Sequence, residues 1–221
     1  MADNFQKKIT LTAENAKIHG QEQFFLKNAL KNQASDAQIV LLIQYARSIL
    51  KWNKVYHLTA AKTLGEIVQH IVDCVAVLPF LNDSQRILDV GSGAGLPGVV
   101  LAILKPESSF FLIDSVQKKT AFLLDAKRFL NLKNTQVLNG RVEKISGNFD
   151  IILCRAFSSL ADFVQKTSHL LYKNGAWLAM KGANFKDEIA LLPHNIHTEI
   201  VALNIPESAK VRHLCIMKRS L

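Results

Sequence analysis

The stretch Arg86–Gly98 reads RILDVGSGAGLPG, and its reading decides the fold. Ile87, Leu88 and Val90 are apolar and partly β-branched, the pattern of a short buried strand. That strand runs directly into Gly91, Gly93 and Gly95, which allow a tight turn and a close approach of backbone to a ligand. Pro97 suits a first helical position, and the apolar run Val99–Leu104 continues as a helix. A strand, a glycine turn and an exposed helix N-terminus together predict a nucleotide-sized binding site at the carboxyl edge of a sheet.

Outward from this stretch the chain alternates. Strands are expected at 86–90, 109–114, 135–139 and 149–154, and helices at 97–104, 117–130 and about 159–172. Asn174-Gly175 reads as a turn before a fifth strand, Ala176–Lys181. The runs 196–203 and 211–217 are close enough to pair as an antiparallel hairpin at the sheet edge. The fold class is therefore α/β, a mostly parallel seven-stranded sheet with an antiparallel C-terminal hairpin. Before it, residues 1–82 read as a helical segment packed on the core, and 83–221 as the sheet domain. Within the segment, helices are expected at Glu22–Leu30, at Asp36–Trp52 behind a Ser35 or Asp36 cap, and at Thr63–Leu81 up to the break near Pro79. Trp52–Thr59 reads as a loop.

Composition bounds the setting. The chain has 221 residues, 49% of them hydrophobic, enough for a full core. No apolar run approaches the roughly 20 residues of a membrane span, and the N-terminus lacks the apolar core of a secretion signal. Cys74, Cys154 and Cys215 are odd in number and far apart, which argues against a disulfide framework. A cytoplasmic protein without a membrane partner is expected. The net charge is +9, and it is uneven: residues 86–221 hold 18 basic against 11 acidic residues, whereas residues 1–85 hold 9 against 7. A basic excess beside a small-molecule site fits either a polyanionic partner, nucleic acid first, or a plain solvated surface.

Asp114 closes the second strand, 23 residues after Gly91. An acid there can accept hydrogen bonds from ribose hydroxyls, or it can cap the following helix. The glycine spacing narrows the ligand. A dinucleotide fingerprint places its third glycine five residues after the first, where this chain has Leu96; its third glycine comes one residue early, at Gly95. With Asp89 ahead of the turn, D-x-G-x-G-x-G suits a ligand without phosphates, such as S-adenosylmethionine.

The phrases DVGSGAGLPGVVLAI, LIDSVQKKTAFL, GRVEKI, CRAFSSL and MKG, with KWNKVYHLTA and QHIVDC upstream, occur in this order from about Leu41 to Arg212-His213-Leu214. Together they resemble the bacterial small-subunit rRNA guanine-N7 methyltransferases, the RsmG or glucose-inhibited division protein B family. The resemblance implies a class I methyltransferase fold with S-adenosylmethionine as donor and no metal. It implies that Gly91, Gly93, Gly95 and Leu96 bind the cofactor, with Gly91 and Leu96 at or beside its methionine end, that Asp114 contacts the ribose, and that Val142 and Glu143 flank the adenine. Arg155 would lie where cofactor and substrate meet. The implied partner is 16S rRNA or the small ribosomal subunit, met by a monomeric enzyme. Ser92 and Ala94 inside the turn, and Cys154 before Arg155, are mild departures.

Guanine N7 carries an in-plane lone pair and no proton, so the reaction calls for alignment rather than a general base. Arg155, Lys181 and Arg212 are accordingly expected to orient the base or RNA, and Lys118 and Lys119 to meet rRNA phosphates. Cys154 ends an apolar strand with no neighbouring proline, so it reads as an inert buried thiol. His194 and His197 lack acidic or thiol partners for a metal. His70 and Asp73 share a helix face, which fits helix packing or a site. Two other classes remain to be separated: a Rossmann-type NAD(P)-dependent oxidoreductase and a catalytically inactive RNA-binding protein.

Overall fold

The structure, a computed structural model, describes residues 20–183, 185–206, 208 and 211–220. The part of the expected N-terminal segment before residue 20 lies outside the described residues. Three helices come first, α1 (20–29), α2 (Asp36–Tyr56) and α3 (Leu64–Val75). The decisive stretch then forms β1 (Arg86–Val90) and α4 (Gly98–Leu104). After them come β2 (Ser109–Asp114), α5 (Gln117–Phe129), β3 (Thr135–Asn139), β4 (Phe149–Arg155) and α6 (Leu160–Thr167). The chain ends with β5 (Leu171–Lys181), the short α7 (Lys186–Ile189) and the hairpin β6 (Ile196–Leu203) and β7 (Arg212–Arg219).

The seven strands form one sheet in the order β3-β2-β1-β4-β5-β7-β6. β1 to β5 are parallel, while β7 runs antiparallel to both β5 and β6, as the sequence predicts. The strand order reverses between β1 and β4, where open α/β sheets leave a crevice for ligands. Alternation along each strand supplies two cores. Ile87, Leu112, Leu153 and Leu178 face one way, into a core shared with α1 to α5. Leu88, Ile113, Ile152 and Trp177 face the other, packing with Leu160, Phe163 and Val164 of α6. The N-terminal helices thus contribute to the core that supports the sheet.

Four local readings are corrected. Trp52 to Tyr56 is helical, and there Trp52 packs tilted on Tyr56 (5.2 Å between ring centres) and edge-on against Phe122 (5.5 Å). The helix stops at His57 in the left-handed region, φ 49°. Asn53, a residue type that usually marks a loop, instead reaches from the helix to bind the loop at Thr59 N (2.9 Å) and Ala61 O (2.8 Å). Second, α3 ends at Val75, and Pro79 sits in a separate 3-10 turn, Leu78–Phe80. Third, the helix expected to reach 172 ends at Thr167 with a 3-10 turn to Leu170. Fourth, Asn174-Gly175 lies in β5 rather than in a turn. The register there jumps from Phe149↔Leu171 to Ile151↔Ala176, so β5 bulges past β4. A Cβ on Gly175 would come within 2.7 Å of Asp150 O, which explains the glycine.

Candidate active site

The turn after β1 is held by backbone. Gly91 N and Ser92 N both donate to Ile113 O, at 2.9 and 3.0 Å, which ties the turn to β2. Gly91, Gly93 and Gly95 all have positive φ. A Cβ on Gly91 would meet Phe157 at 2.7 Å, and one on Gly95 would meet Val99 at 2.5 Å and Tyr45 Oη at 2.7 Å. Tyr45, fully buried on α2, donates its hydroxyl proton to Ala94 O. An N-terminal helix therefore clamps the glycine turn from behind. The sequence hid this, because Tyr45 occupies an ordinary core position of an amphipathic helix.

The α4 N-terminus departs from expectation. The helix starts at Gly98, one residue after Pro97, and both are buried. Gly98 N donates to Asp89 Oδ2 at 3.0 Å. Burial pushes the Asp89 carboxyl up to about 7, against the opposing hydrogen bonds from Gly98 and Ser92. The helix end is thus spent on a side chain of the protein itself and is not open to a ligand phosphate.

A cleft of about 400 Å³ opens at the carboxyl ends of β1, β2 and β4, lined by Gly91, Asp114, Lys119, Val142, Glu143 and Phe157 among others. Asp114 is buried; its Oδ2 accepts from Gly93 N (3.0 Å) and its Oδ1 from Val116 N (2.9 Å). It therefore steadies both the glycine turn and the start of α5 while lining the cleft, joining the two roles that the sequence set as alternatives. Each carboxylate oxygen retains lone-pair capacity for a hydroxyl donor. Val142 supplies a buried apolar wall, and Glu143 lies at the rim. The cleft's lysines are already neutralised: Lys119 Nζ lies 3.7 Å from Asp114, and Lys166 Nζ lies 2.8 Å from Asp162 and 3.9 Å from Glu143. Lys166 had no sequence signal beyond a surface i,i+4 pair. A cleft with a ribose acceptor beside an apolar wall fits a nucleoside, and the α4 start, bound to Asp89, offers no place to a pyrophosphate. S-adenosylmethionine has that chemistry. Among the other cofactor residues named from sequence, Gly93 reaches the cleft through Asp114, Gly95 lies behind the turn, and Leu96 packs half-buried against the core.

The acceptor-side residues gather at the same sheet edge. Arg155 ends β4, one residue after Cys154, which pairs with Val90 of β1; Ala156 and Phe157 then enter the cleft. Lys181 ends β5 and pairs with His213. Because β7 is antiparallel, its first residue, Arg212, falls at this edge too. The three cations are engaged differently. Lys181 Nζ binds Ser158 O at 2.9 Å and Glu188 Oε2 at 2.8 Å, holding the loop after β4. Arg155 turns to α3, reaching His70 Nδ1 (2.9 Å), His70 O (3.3 Å), Cys74 Sγ (3.4 Å) and Asp73 Oδ2 (3.5 Å). Arg212 Nε also meets Asp73 Oδ2, at 3.3 Å. On α5, Lys118 is exposed to solvent while Lys119 faces the cleft. Cys154 is buried and its thiol is pushed up by that burial, so it is not a nucleophile. Among the described residues no group of three or more His, Cys, Asp or Glu side chains is placed to hold a metal ion, and no helix is long and apolar enough to cross a membrane.

Residues 38–215 match the GidB family, described as rRNA small subunit methyltransferase G. A ribosomal RNA small subunit methyltransferase G from Laribacter hongkongensis is 45% identical over 184 residues, 81% of this chain and 88% of that protein. The protein of the same name from Pseudomonas syringae is 41% identical over 206 residues, 91% of this chain and 97% of its own. Among solved structures, fibrillarin from Aeropyrum pernix, crystallised with S-adenosyl-L-methionine, superposes with a TM-score of 0.55 at 15% identity, covering 67% of this chain and 76% of that one. A precorrin-6y C5,15-methyltransferase from Geobacter metallireducens gives 0.54 at 13% identity, covering 75% and 92%. At such identities these likenesses bear on the fold alone, and the fold is that of class I methyltransferases.

Proposed function

The chain belongs to the rRNA small subunit methyltransferase G family, and from that membership we propose that it transfers a methyl group from S-adenosylmethionine to N7 of one guanine in small-subunit 16S rRNA. The observation that carries this reading is the meeting of four motif residues, Gly91, Asp114, Val142 and Glu143, around one cleft at the β1/β4 switch point. A NAD(P)-dependent oxidoreductase is disfavoured by the closed α4 terminus, and an inactive binding protein by the intact turn.

In this reading Gly91, Gly93, Gly95 and Leu96 shape the methionine side of the cofactor site. Asp114 accepts the ribose hydroxyls, and Val142 with Glu143 flanks the adenine. When bound, the cofactor supplies a methyl group activated by a cationic sulfur. N7 has its lone pair ready and no proton to lose, so no residue of the chain serves as a general base. The work left to the protein is alignment and exclusion of water. Arg155 and Arg212 act on the RNA side. Lys181 acts there by fixing the Ser158 loop, and Lys118 by meeting phosphate; Lys119 stays with Asp114. We read residues 1–82 as a supporting helical segment and 83–221 as the catalytic domain, in a monomer that works in the cytoplasm.

The test uses purified protein, methyl-labelled S-adenosylmethionine and small subunits from cells lacking the enzyme. Labelled rRNA is then cleaved chemically at N7-methylguanine. One labelled, cleavable position is expected. Label without cleavage rejects N7 as the acceptor atom, and a Gly93→Asp variant that still methylates normally rejects the cofactor site.

A further inference from the structure

Asp73 is a buried carboxylate on α3, whose other buried residues, Ile67, Val68, Ile71, Val72, Cys74 and Val75 among them, are apolar. The side chain is 2% exposed. Its Oδ2 alone meets the two guanidiniums, Arg212 Nε at 3.3 Å and Arg155 at 3.5 Å, with His70 Nδ1 at 3.9 Å. Its Oδ1 is buried with no hydrogen-bond partner among the described residues. Burial pushes the carboxyl up, yet His70, Arg155 and Arg212 together hold it below its ordinary value, so it is ionised at neutral pH.

This arrangement is a poor way to stabilise a fold. A buried ion pair gains little over apolar packing, and an unpartnered carboxylate oxygen costs free energy. What the arrangement does is geometric. A single oxygen on α3 draws together two guanidiniums from β4 and β7 that would otherwise repel each other, at the sheet edge beside the cleft. The two cations outnumber the one anion, so the cluster remains positive.

The chemistry of the acceptor says what this pair takes. Arginine commonly reads guanine through O6 and N7. If N7 is the atom to be methylated, a guanidinium there would cover the nucleophile. Arg155 gives its terminal nitrogens to α3 and lends the cluster charge, while phosphodiester oxygens match the guanidinium donors that Arg212 holds beyond the Nε bound to Asp73, and leave the base edge free. We infer that Asp73 is a positioning residue that yokes Arg155 and Arg212 into one clamp for an RNA phosphate beside the target guanine. The inference rests on the methyltransferase reading for its choice of phosphate over base edge. The yoke itself rests on the geometry.

The experiment measures binding of the full chain, with S-adenosylhomocysteine present, to small subunits from cells lacking the enzyme, across a salt series. Asp73→Asn keeps the volume but removes the charge that gathers the arginines. It is expected to weaken subunit binding about tenfold and to lower the salt slope by about one, while cofactor Kd stays within about threefold of the parent. In a double-mutant cycle with Arg212→Gln, the second change should add little to the first, because both break the same clamp. Subunit binding that matches the parent in Asp73→Asn overturns the proposal, and so does full additivity in the cycle. Should Asp73→Asn fail to fold, Arg212→Lys takes its place: it keeps the charge but not the fork, and unchanged subunit affinity there likewise overturns the clamp. A parent protein that binds subunits yet leaves N7 unmethylated would sink the proposed reaction instead, and the binding ratio of parent to variant would still decide the yoke.

Discussion

The two halves of the site are built by different means. The cofactor half lies in one continuous β-α-β-α-β run, from β1 through the Val142-Glu143 turn, and much of its shape comes from backbone: three glycines at positive φ, amides tied to Ile113 O, and one carboxylate that holds turn and helix together. The RNA half is built from side chains gathered from afar. Asp73 and Arg212 meet across 139 positions of sequence, through a helix that precedes the sheet and a strand near the chain's end. A half fixed by backbone tolerates little change in shape; a half fixed by charges tolerates a change of shape better than a change of charge.

The largest effect should come from breaking the backbone half. Gly95→Ala places a Cβ against Val99 and the Tyr45 hydroxyl at φ +81°. Overpacking and the left-handed backbone together should cost about 2–5 kcal/mol, and Tm should fall by at least about 4 °C. Calorimetric titration should find cofactor affinity largely gone. A Gly95→Ala protein that binds S-adenosylmethionine normally would mean that the turn is softer than its contacts imply.

Arg155→Ala attacks the other half. Methyl transfer to small subunits should drop about a hundredfold, the scale of losing one well-placed donor, with a Tm loss of about 2–4 °C as α3 loses its link to β4. Cofactor Kd is the discriminating number. If it rises as steeply as turnover falls, Arg155 belongs to the cofactor half and the division drawn above is wrong.

What the sequence revealed follows the same division. Val90, Gly91, Gly95 and Asp114 stand in local patterns whose spacing reflects a strand, a turn and the end of the next strand, so the mostly parallel sheet and a site at its carboxyl edge could be read from the sequence, whereas the strand order could not. Local spacing cannot report that α2 reaches across to Ala94, or that α4 ends on Asp89 rather than on a ligand, since those contacts arise only from packing. The same limit explains Asn174-Gly175. Its composition signals a turn, but it falls between two stretches of β5 that pair with β4, at Leu171 and from Ala176 on, and a bulge absorbs the extra residues. His70 and Asp73 were visible as a pair on one helix face, whereas their two arginine partners were not.

Tyr45→Phe sharpens the comparison, because it removes one oxygen that joins the N-terminal helices to the turn. Ala94 is buried, so its carbonyl would lose a partner at a cost of about 1–3 kcal/mol. Cofactor Kd should rise about three- to tenfold, while affinity for small subunits is unchanged. Equal weakening of both would show that α2 supports the two halves together.

The smallest expected effect separates adjacent residues. Lys118 and Lys119 stand one position apart on α5, about 100° around the helix axis, so one can face solvent while the other faces the cleft. Lys119 lies 3.7 Å from Asp114, and neutralising it changes the charge next to the ribose acceptor. Lys118 is exposed and within one turn of the cleft rim, so its charge is available to RNA. Lys118→Ala should therefore weaken subunit binding only about two- to threefold and lower the salt slope by about one, the loss of a single phosphate contact, with cofactor Kd untouched. Lys119→Ala should do the reverse, shifting cofactor Kd and leaving the salt slope alone. A cofactor effect at Lys118 would break the division at the one place where the two halves share a helix turn.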